Sequence, residues 1–299
     1  MRVDPHYVSG LVASLNSSTL AEQKLTSELS SGLAVSSLSD NPVAAGQASM
    51  LNSAISQDDT FVQTAASAES LMQVADSALG SVVTQLTSAL SLAVEGNSGT
   101  ESASDLTGLS QQLGSIRDQV VALANTSYQG TYIFSGSDGN VQPFAVDTST
   151  TPATTTYSGD SQVGAVTTEN GQQIQTGLAG SAVFTAPGAD VMAALNNLVA
   201  DFAGGTVSGT ASTDIGVLQT ALSNVSQQRL SLDSSLSRIQ TASSFAQTDA
   251  TNRTATVSTL VAADPATVAT QLSSAETQNQ ALMSVIATVE KQSLFDMIQ

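Results

Sequence analysis

The residues that could carry chemistry are few, and they form no recognised catalytic set. His6 is the only histidine and cysteine is absent, which excludes Cys/His metal sites and thiol nucleophiles. Asp58 and Asp59 are adjacent acids, but helical neighbours point about 100° apart, so we predict a solvated face and not a carboxylate pair. Segment 136–139 lacks the lysine of a phosphate-binding loop and is predicted to be a turn. The sequence therefore predicts no enzyme activity and no catalytic, metal or cofactor-binding residue.

The composition limits the partners that the chain can bind. Of 299 residues, 11% are charged, and the formal net charge is −18 with only seven Lys and Arg. Few cations are available to neutralise phosphates, so we expect neither nucleic acid nor a membrane as a partner. The N-terminus lacks the apolar core of a cleaved secretory signal, and no run approaches the ~20 apolar residues of a membrane span. Export, if it occurs, would need another route.

Apolar periodicity predicts a mainly α fold, namely an elongated, coiled-coil-like antiparallel helical bundle with a small inserted β-rich domain. β-branched and aromatic residues interrupt the helical pattern centrally, where 131–134 is predicted to be a strand and Asn170-Gly171 a hairpin turn. The predicted divisions are an N-terminal assembly arm at 1–41, a first bundle segment at 42–129, the β-rich insert at 130–187, a second bundle segment at 188–263 and a C-terminal assembly arm at 264–299.

The helix boundaries follow from proline and capping residues. Asp40 or Asn41 can cap a helix that begins at Pro42, and Asp264-Pro265 repeats the arrangement near the other end of the chain. The first arm is predicted to be helical over about 4–38. The second helix is predicted to run to about Gly96 with one apolar stripe: Leu51, Ile55, Val62, Ala65, Met72, Leu79, Val83, Leu86 and Leu90.

The two arms each carry an apolar seam that one isolated helix cannot bury. In the first arm Ser18 and Glu22 occupy two seam positions, so this helix should be marginal alone. We predict that the arms pair with each other and with neighbouring copies, although periodicity alone also allows an ordinary intramolecular bundle. Asn279 either sets helix register or faces solvent at a helix edge. The predicted assembly interface is Val8, Leu11, Leu15, Leu25, Leu29, Val268, Leu272, Ala275, Asn279, Leu282, Ile286 and Val289.

Several segments, in order, resemble the flagellin superfamily, and within it the junction-type hook-associated proteins. Segment 25–32 (LTSELSSG), followed by Asp40-Asn41-Pro42, is similar to the family's "LSSG … DDP" signature, although Asn41 replaces the second Asp and the usual intervening basic residue is missing. Segments 130–136 (GTYIFSG) and 157–160 (YSGD) resemble the entry to the small β domain of junction proteins. Segments 271–273 (QLS), 280–282 (QAL) and 293–295 (SLF) are similar to the closing helix.

The resemblance implies a structural axial protein of the bacterial flagellum that is exported by the flagellar type III apparatus. It implies self-assembly with neighbouring copies, a hook-associated protein on the hook side, flagellin on the filament side, and contact with an export chaperone. It also implies an extracellular location without a cleaved signal peptide. The alternatives are a short flagellin filament subunit and a secreted helical adhesin or binding module, which would still bind after the arms were removed.

Overall fold

The structure is a computed structural model that describes residues 5–298, with side chains described for residues 9–289. The chain divides into two compact units: unit 1 comprises Met1–Gln57 and Asp249–Gln299, and unit 2 comprises Asp58–Thr248. The helices in the described range are α1 (Pro5–Ser31), α2 (Pro42–Gly96), α3 (Ala103–Ala124), α4 (Gly180–Phe184), α5 (Val191–Ala203), α6 (Ala211–Val261) and α7 (Pro265–Ile298). The mainly α fold with a small β-rich insertion is therefore confirmed.

The strands are short and pair only with their sequence neighbours. They are β1 (Ser127–Tyr128), β2 (Thr131–Tyr132), β3 (Phe144–Asp147), β4 (Thr154–Tyr157), β5 (Ala165–Thr167), β6 (Gln173–Gln175), β7 (Thr185–Ala186) and β8 (Ala189–Asp190). Each consecutive pair forms a separate two-stranded antiparallel sheet. The β5–β6 pair confirms the hairpin predicted at Asn170-Gly171, where Gly171 has a φ of 75°.

The predicted strand over 131–134 is wrong in its second half. Gln129 and Gly130 both have positive φ, which gives the tight turn that joins β1 to β2. After Tyr132 the chain turns inward and buries Ile133 and Phe134. The ring of Phe134 meets that of Phe184 edge-on at 5.3 Å. An aromatic cluster, and not a continuous sheet, therefore forms the core of the insertion.

In unit 2 the helices pack antiparallel around one core. Ser110 Oγ of α3 donates to the Val199 carbonyl of α5 over 2.7 Å, and Arg229 of α6 pairs with Asp76 of α2 at 2.5 and 3.1 Å. The buried seam of α2 combines larger residues with alanines: Met72, Ala75, Leu79, Val82, Leu86, Ala89 and Ala93. Val83 and Leu90, which we placed on this stripe, are only half-buried, because Val82 and Ala89, one position earlier, take the inward positions.

One 18-residue window of α2 is long and apolar enough to cross a membrane by length and composition alone, contrary to the prediction. The window passes because Ser and Thr replace charged residues along this helix. Their hydroxyls donate to carbonyls four residues back, as Thr84 does to Gly80 and Thr87 to Val83. The core helix of a soluble protein passes the same test, and α2 supplies much of the core of unit 2.

The helix boundaries at proline are confirmed, whereas the first helix is shorter than predicted. Asn41 Oδ1 accepts from the Ala44 N–H at 3.1 Å and caps α2 at Pro42. α1 ends at Ser31 and not near residue 38, because Gly32 takes a left-handed φ of 71°. Asp58 is fully buried whereas Asp59 is exposed, so the predicted solvated face is wrong for Asp58, which helix rotation places on the inner side.

Candidate assembly interface

Within unit 1, α1 and α7 pack along each other in opposite directions. Glu22 in the middle of α1 meets Asn279 in the middle of α7, and the C-terminal end of α1 lies beside the start of α7. Antiparallel pairing follows because the segment after Gly32 and the segment before Pro265 contact each other. The two predicted arms are thus partners within one chain.

A short backbone clamp, defined as residues 32–35 and 261–263, joins these helix ends. Ala263 N–H donates to the Gly32 carbonyl at 2.9 Å, and Ala34 N–H donates to the Val261 carbonyl at 2.8 Å. Leu33 and Ala262 form the antiparallel bridge between them. These bonds satisfy backbone groups that the ends of α1 and α6 would otherwise leave open.

Two acidic side chains stabilise the turns on either side of the arms. Asp40 contacts Lys24 at 2.9 Å and accepts from the Ser37 N–H at 3.0 Å, and its pKa is held well below the usual range by Lys24 first and then by Ser37. Asp264 accepts from Thr267 Oγ1 at 2.6 Å, and this bond lowers the pKa of Asp264. Both carboxylates are therefore charged while they hold these turns near neutral pH.

The predicted seam of α7 lies on one face. Its members are the least exposed residues of the helix over residues 265–289, while their neighbours are exposed: Val268, Leu272, Ala275, Asn279, Leu282, Ile286 and Val289. Val268 and Ala275 are buried and the others are half-buried. The 4-3 spacing predicts this face correctly, whereas the assembly role of these residues stays a prediction.

The predicted seam of α1 is placed only in part. Leu11, Leu15 and Leu25 are half-buried on the inner face, together with Ser18 and Glu22. Leu29 is 42% exposed, because the seam passes through half-buried Glu28 in the last turn. Val8 lies outside the residues whose side chains are described.

The middle of the α1–α7 pair holds a polar layer, defined as Ser18, Glu22 and Asn279. Asn279 Nδ2 donates to Glu22 Oε2 at 2.6 Å. Ser18 Oγ and Asn279 Oδ1 are buried without a hydrogen-bond partner in the described part of the chain. Asn279 thus lies in the seam and not at a solvent-facing edge. A buried polar group of this kind favours one register at a cost in stability.

Large apolar side chains also remain exposed in the described part of unit 1, and of these the sequence analysis selected only Leu29. On the two arms Leu20 is 64% exposed and Met283 is 58% exposed. The sequence pattern that could have identified Leu20 and Met283 is that both are apolar residues at positions outside the predicted seam. The other exposed large hydrophobic residues of unit 1 are Val12, Leu29, Leu33, Leu38, Val43, Met50 and Val285. Exposed apolar side chains in such numbers are typical of a surface that another protein covers.

The segment at 136–139 is a turn, as predicted, and its backbone is already occupied. Ser137 N–H donates to Asp160 Oδ1 at 2.8 Å, and the Ser137 hydroxyl also lies against this carboxylate. These bonds lower the pKa of Asp160. An internal carboxylate therefore takes the place that a bound anion would need.

Comparison with known proteins agrees with this geometry at both ends of the chain. The model of the bacterial flagellin N-terminal helical region matches residues 9–138, and that of the C-terminal helical region matches residues 215–298. Flagellar hook-associated protein 3 of Salmonella typhimurium is 35% identical over 122 residues, which are 40% of this chain and 38% of that protein.

Two solved structures share the fold. A protein of Vibrio parahaemolyticus described as a flagellar hook-associated protein superposes with a TM-score of 0.62 at 20% identity, over 74% of this chain and 99% of that one. The flagellar junction protein FlgL of Legionella pneumophila gives 0.57 at 12% identity, over 65% and 99%. With the N- and C-terminal helical regions both matched in order, the chain belongs to the bacterial flagellin family.

Proposed function

We propose that this chain is a non-enzymatic structural subunit of the flagellum that joins the hook to the flagellin filament. The relatives that support a junction role are the hook-associated proteins, although the chain matches well under half the length of the one quoted above. Assembly would involve neighbouring copies, a hook-associated protein on the hook side and flagellin on the filament side. Export through the flagellar type III apparatus with a chaperone, without a cleaved signal peptide, would deliver the chain outside the cell.

The observation that carries this proposal is the uncovered apolar outer surface of the α1–α7 pair. The two helices bury one seam against each other and leave Leu20, Met283 and Val285 facing outward. Met283 and Val285 flank the α7 seam on opposite sides, so the two helices alone cannot bury them as well, and we infer that further helices cover them. Neighbouring copies offer helices of the same kind.

The proposal also assigns roles to the predicted divisions. The arms at 1–41 and 264–299 would make the contacts between subunits. The segments 42–129 and 188–263 would form the helical scaffold, and the insert at 130–187 would stay outside the axial contacts. The buried seams of α2, α3, α5 and α6 support a scaffold role, because they leave the core of unit 2 complete within one chain.

A strain that lacks this chain tests the role directly. We expect such cells to build hooks but to release flagellin monomers into the medium, because the filament has no base on which to polymerise. A strain with neither filament nor released flagellin would instead identify the chain as flagellin itself. Normal filaments would contradict the proposal altogether.

A point substitution tests the apolar surface separately. Leu20→Asp places a charge on the outer face without touching the seam, so we expect a folded monomer that is incorporated at least about tenfold less well. Ser14→Asp adds the same charge at another exposed position of α1 and serves as the matched control. Equal incorporation of both variants, measured in purified flagella, would show that the outer face is not an interface.

A further inference from the structure

The β5–β6 hairpin of unit 2 is a sheet of its own, with an outer edge on each strand. Within the described part of the chain neither strand pairs with any other strand. Its inner face carries the buried side chains of Val166 and Ile174, whereas Gln173 and Gln175 are exposed on the outer face. The hairpin is therefore covered on one face and lacks a neighbouring strand at both edges.

The hydrogen-bond pattern of the hairpin determines which backbone groups of β6 point outward. The Thr168 N–H donates to the Gln172 carbonyl at 2.9 Å, and this pair continues the β5–β6 register by one position. Every second pair of an antiparallel ladder is hydrogen-bonded, so Ile174 bonds to β5 while the backbone groups of Gln173 and Gln175 point away from it. These N–H and C=O groups have no hydrogen-bond partner among the residues that the structure describes. The β6 edge can therefore accept another strand.

The sequence of this edge is nearly symmetric about its central residue. Segment 171–177 (GQQIQTG) has a glycine at each end and a glutamine on each side of Ile174. Reversal of the segment exchanges unlike residues only at Gln172 and Thr176, and both of these are polar and uncharged. The segment contains neither a charged residue nor proline, which are the residues that commonly block pairing at a sheet edge. An identical strand is therefore a matching partner for β6.

We propose that β6 pairs antiparallel with β6 of a second copy, about a two-fold axis at Ile174. Gln173 of each copy then lies opposite Gln175 of the other, and each of these two pairs exchanges two backbone hydrogen bonds. The glutamine side chains face each other on the exposed side, where their amides can bond across the strands. The two-fold axis repeats every contact and joins the two hairpins into one four-stranded sheet.

This pairing goes beyond the proposed function. Subunits between a hook and a filament all point the same way, whereas two-fold partners point in opposite directions. The dimer is therefore a state of the unassembled chain, and it covers a sheet edge that could otherwise pair with strands of other proteins. Failure of this pairing would leave the junction role untouched.

Disulfide formation between two full-length variants tests the register, because the natural sequence contains no cysteine. Mixing Gln173→Cys chains with differently tagged Gln175→Cys chains places two thiols opposite each other, with Cα atoms about 5.5 Å apart, which suits a disulfide. We expect a mixed disulfide dimer in oxidised glutathione. The matched control mixes Gln175→Cys with Thr167→Cys, because Thr167 is equally exposed but lies on β5. Equal yields from both mixtures, or no dimer from either, would overturn the proposal.

Paired charge substitutions test the two-fold axis by sedimentation equilibrium. Gln173→Lys combined with Gln175→Lys places lysine opposite lysine at both positions, whereas Gln173→Lys combined with Gln175→Glu places lysine opposite glutamate. Like charges directly opposite each other destabilise strand pairs and opposite charges stabilise them, so the second variant should dimerise at least about tenfold more tightly. Equal association of the two variants, or a natural chain that stays monomeric at high concentration, would refute the pairing of β6 with itself.

Discussion

The polar layer between α1 and α7 makes a quantitative prediction about the stability of the arms. Asn279 Nδ2 lies 2.6 Å from Glu22 Oε2. A hydrogen bond to a charged group contributes about 1.5–3 kcal/mol. Each single substitution by alanine also changes the buried area and the number of polar atoms without a hydrogen-bond partner. The total change in stability of one variant therefore does not give the free energy of the Glu22–Asn279 hydrogen bond. The coupling energy between Glu22→Ala and Asn279→Ala removes these separate effects and should be about 2 kcal/mol.

Hydrogen exchange of the full-length chain measures this coupling where it acts. A coupling of about 2 kcal/mol corresponds to roughly a thirtyfold difference in the opening equilibrium of α7, seen in its amide exchange rates. Multiplying the fold increases in exchange rate of the two single variants gives the rate expected without coupling. We expect the double variant to exchange about thirtyfold more slowly than this product. The amides of residues 275–289 are the ones to follow.

The control pair combines Glu22→Ala with Gln278→Ala, in which Gln278 is the exposed neighbour of Asn279. That pair should be additive to within about 0.5 kcal/mol. If the Glu22 and Asn279 variants are also additive, the bond does not hold α7 on α1. The register role of the polar layer would then be refuted.

Two further predictions concern unit 2. Burial, and then the neighbouring Asp201 carboxylate, raises the pKa of Asp214, so the folded chain holds this proton more tightly than the unfolded chain. The stability that the protonated Asp214 carboxyl contributes is complete below the unfolded pKa of about 3.9 and is lost as the pH rises through the folded pKa. Asp214→Asn, which cannot ionise, should therefore raise Tm by a few degrees at pH 7 and by little at pH 3.5. An equal rise in Tm at both pH values would contradict this. Gly180→Ala would place a Cβ 2.5 Å from the Phe134 carbonyl oxygen and should cost about 1–3 kcal/mol in urea unfolding. Gly177→Ala meets no heavy atom within 4 Å and should change stability by under about 0.5 kcal/mol, and equal losses would refute the packing argument.

The strictly periodic parts of the fold could be predicted from the sequence, since periodicity reports which face of a helix is buried. The α7 seam from Val268 to Val289 is the clearest case, and the proline starts at Pro42 and Pro265 are another. In each case a local rule, either helical spacing or capping, determines the outcome without help from distant residues.

The errors have a common cause, which is tertiary packing that the local pattern does not contain. Phe134 leaves its predicted strand because Phe184, fifty residues further on, supplies an aromatic partner. Asp58 was predicted to lie on a solvated face because it is charged, whereas its position around the helix places it on the buried side. The α2 seam was misplaced at Leu90 because alanine carries little hydrophobic signal, although Ala89 and not Leu90 occupies the inward position.

The backbone clamp at residues 32–35 and 261–263 has a consequence for how the arms act. It joins the end of α1 to the start of α7 by hydrogen bonds at one point. Each copy therefore contributes α1 and α7 together, in a one-to-one ratio, to an assembly. An assembly surface made of such units cannot gain or lose one type of helix alone. Truncation of either arm should therefore remove the contribution of both, and mixing two chains that each lack one arm should not restore it.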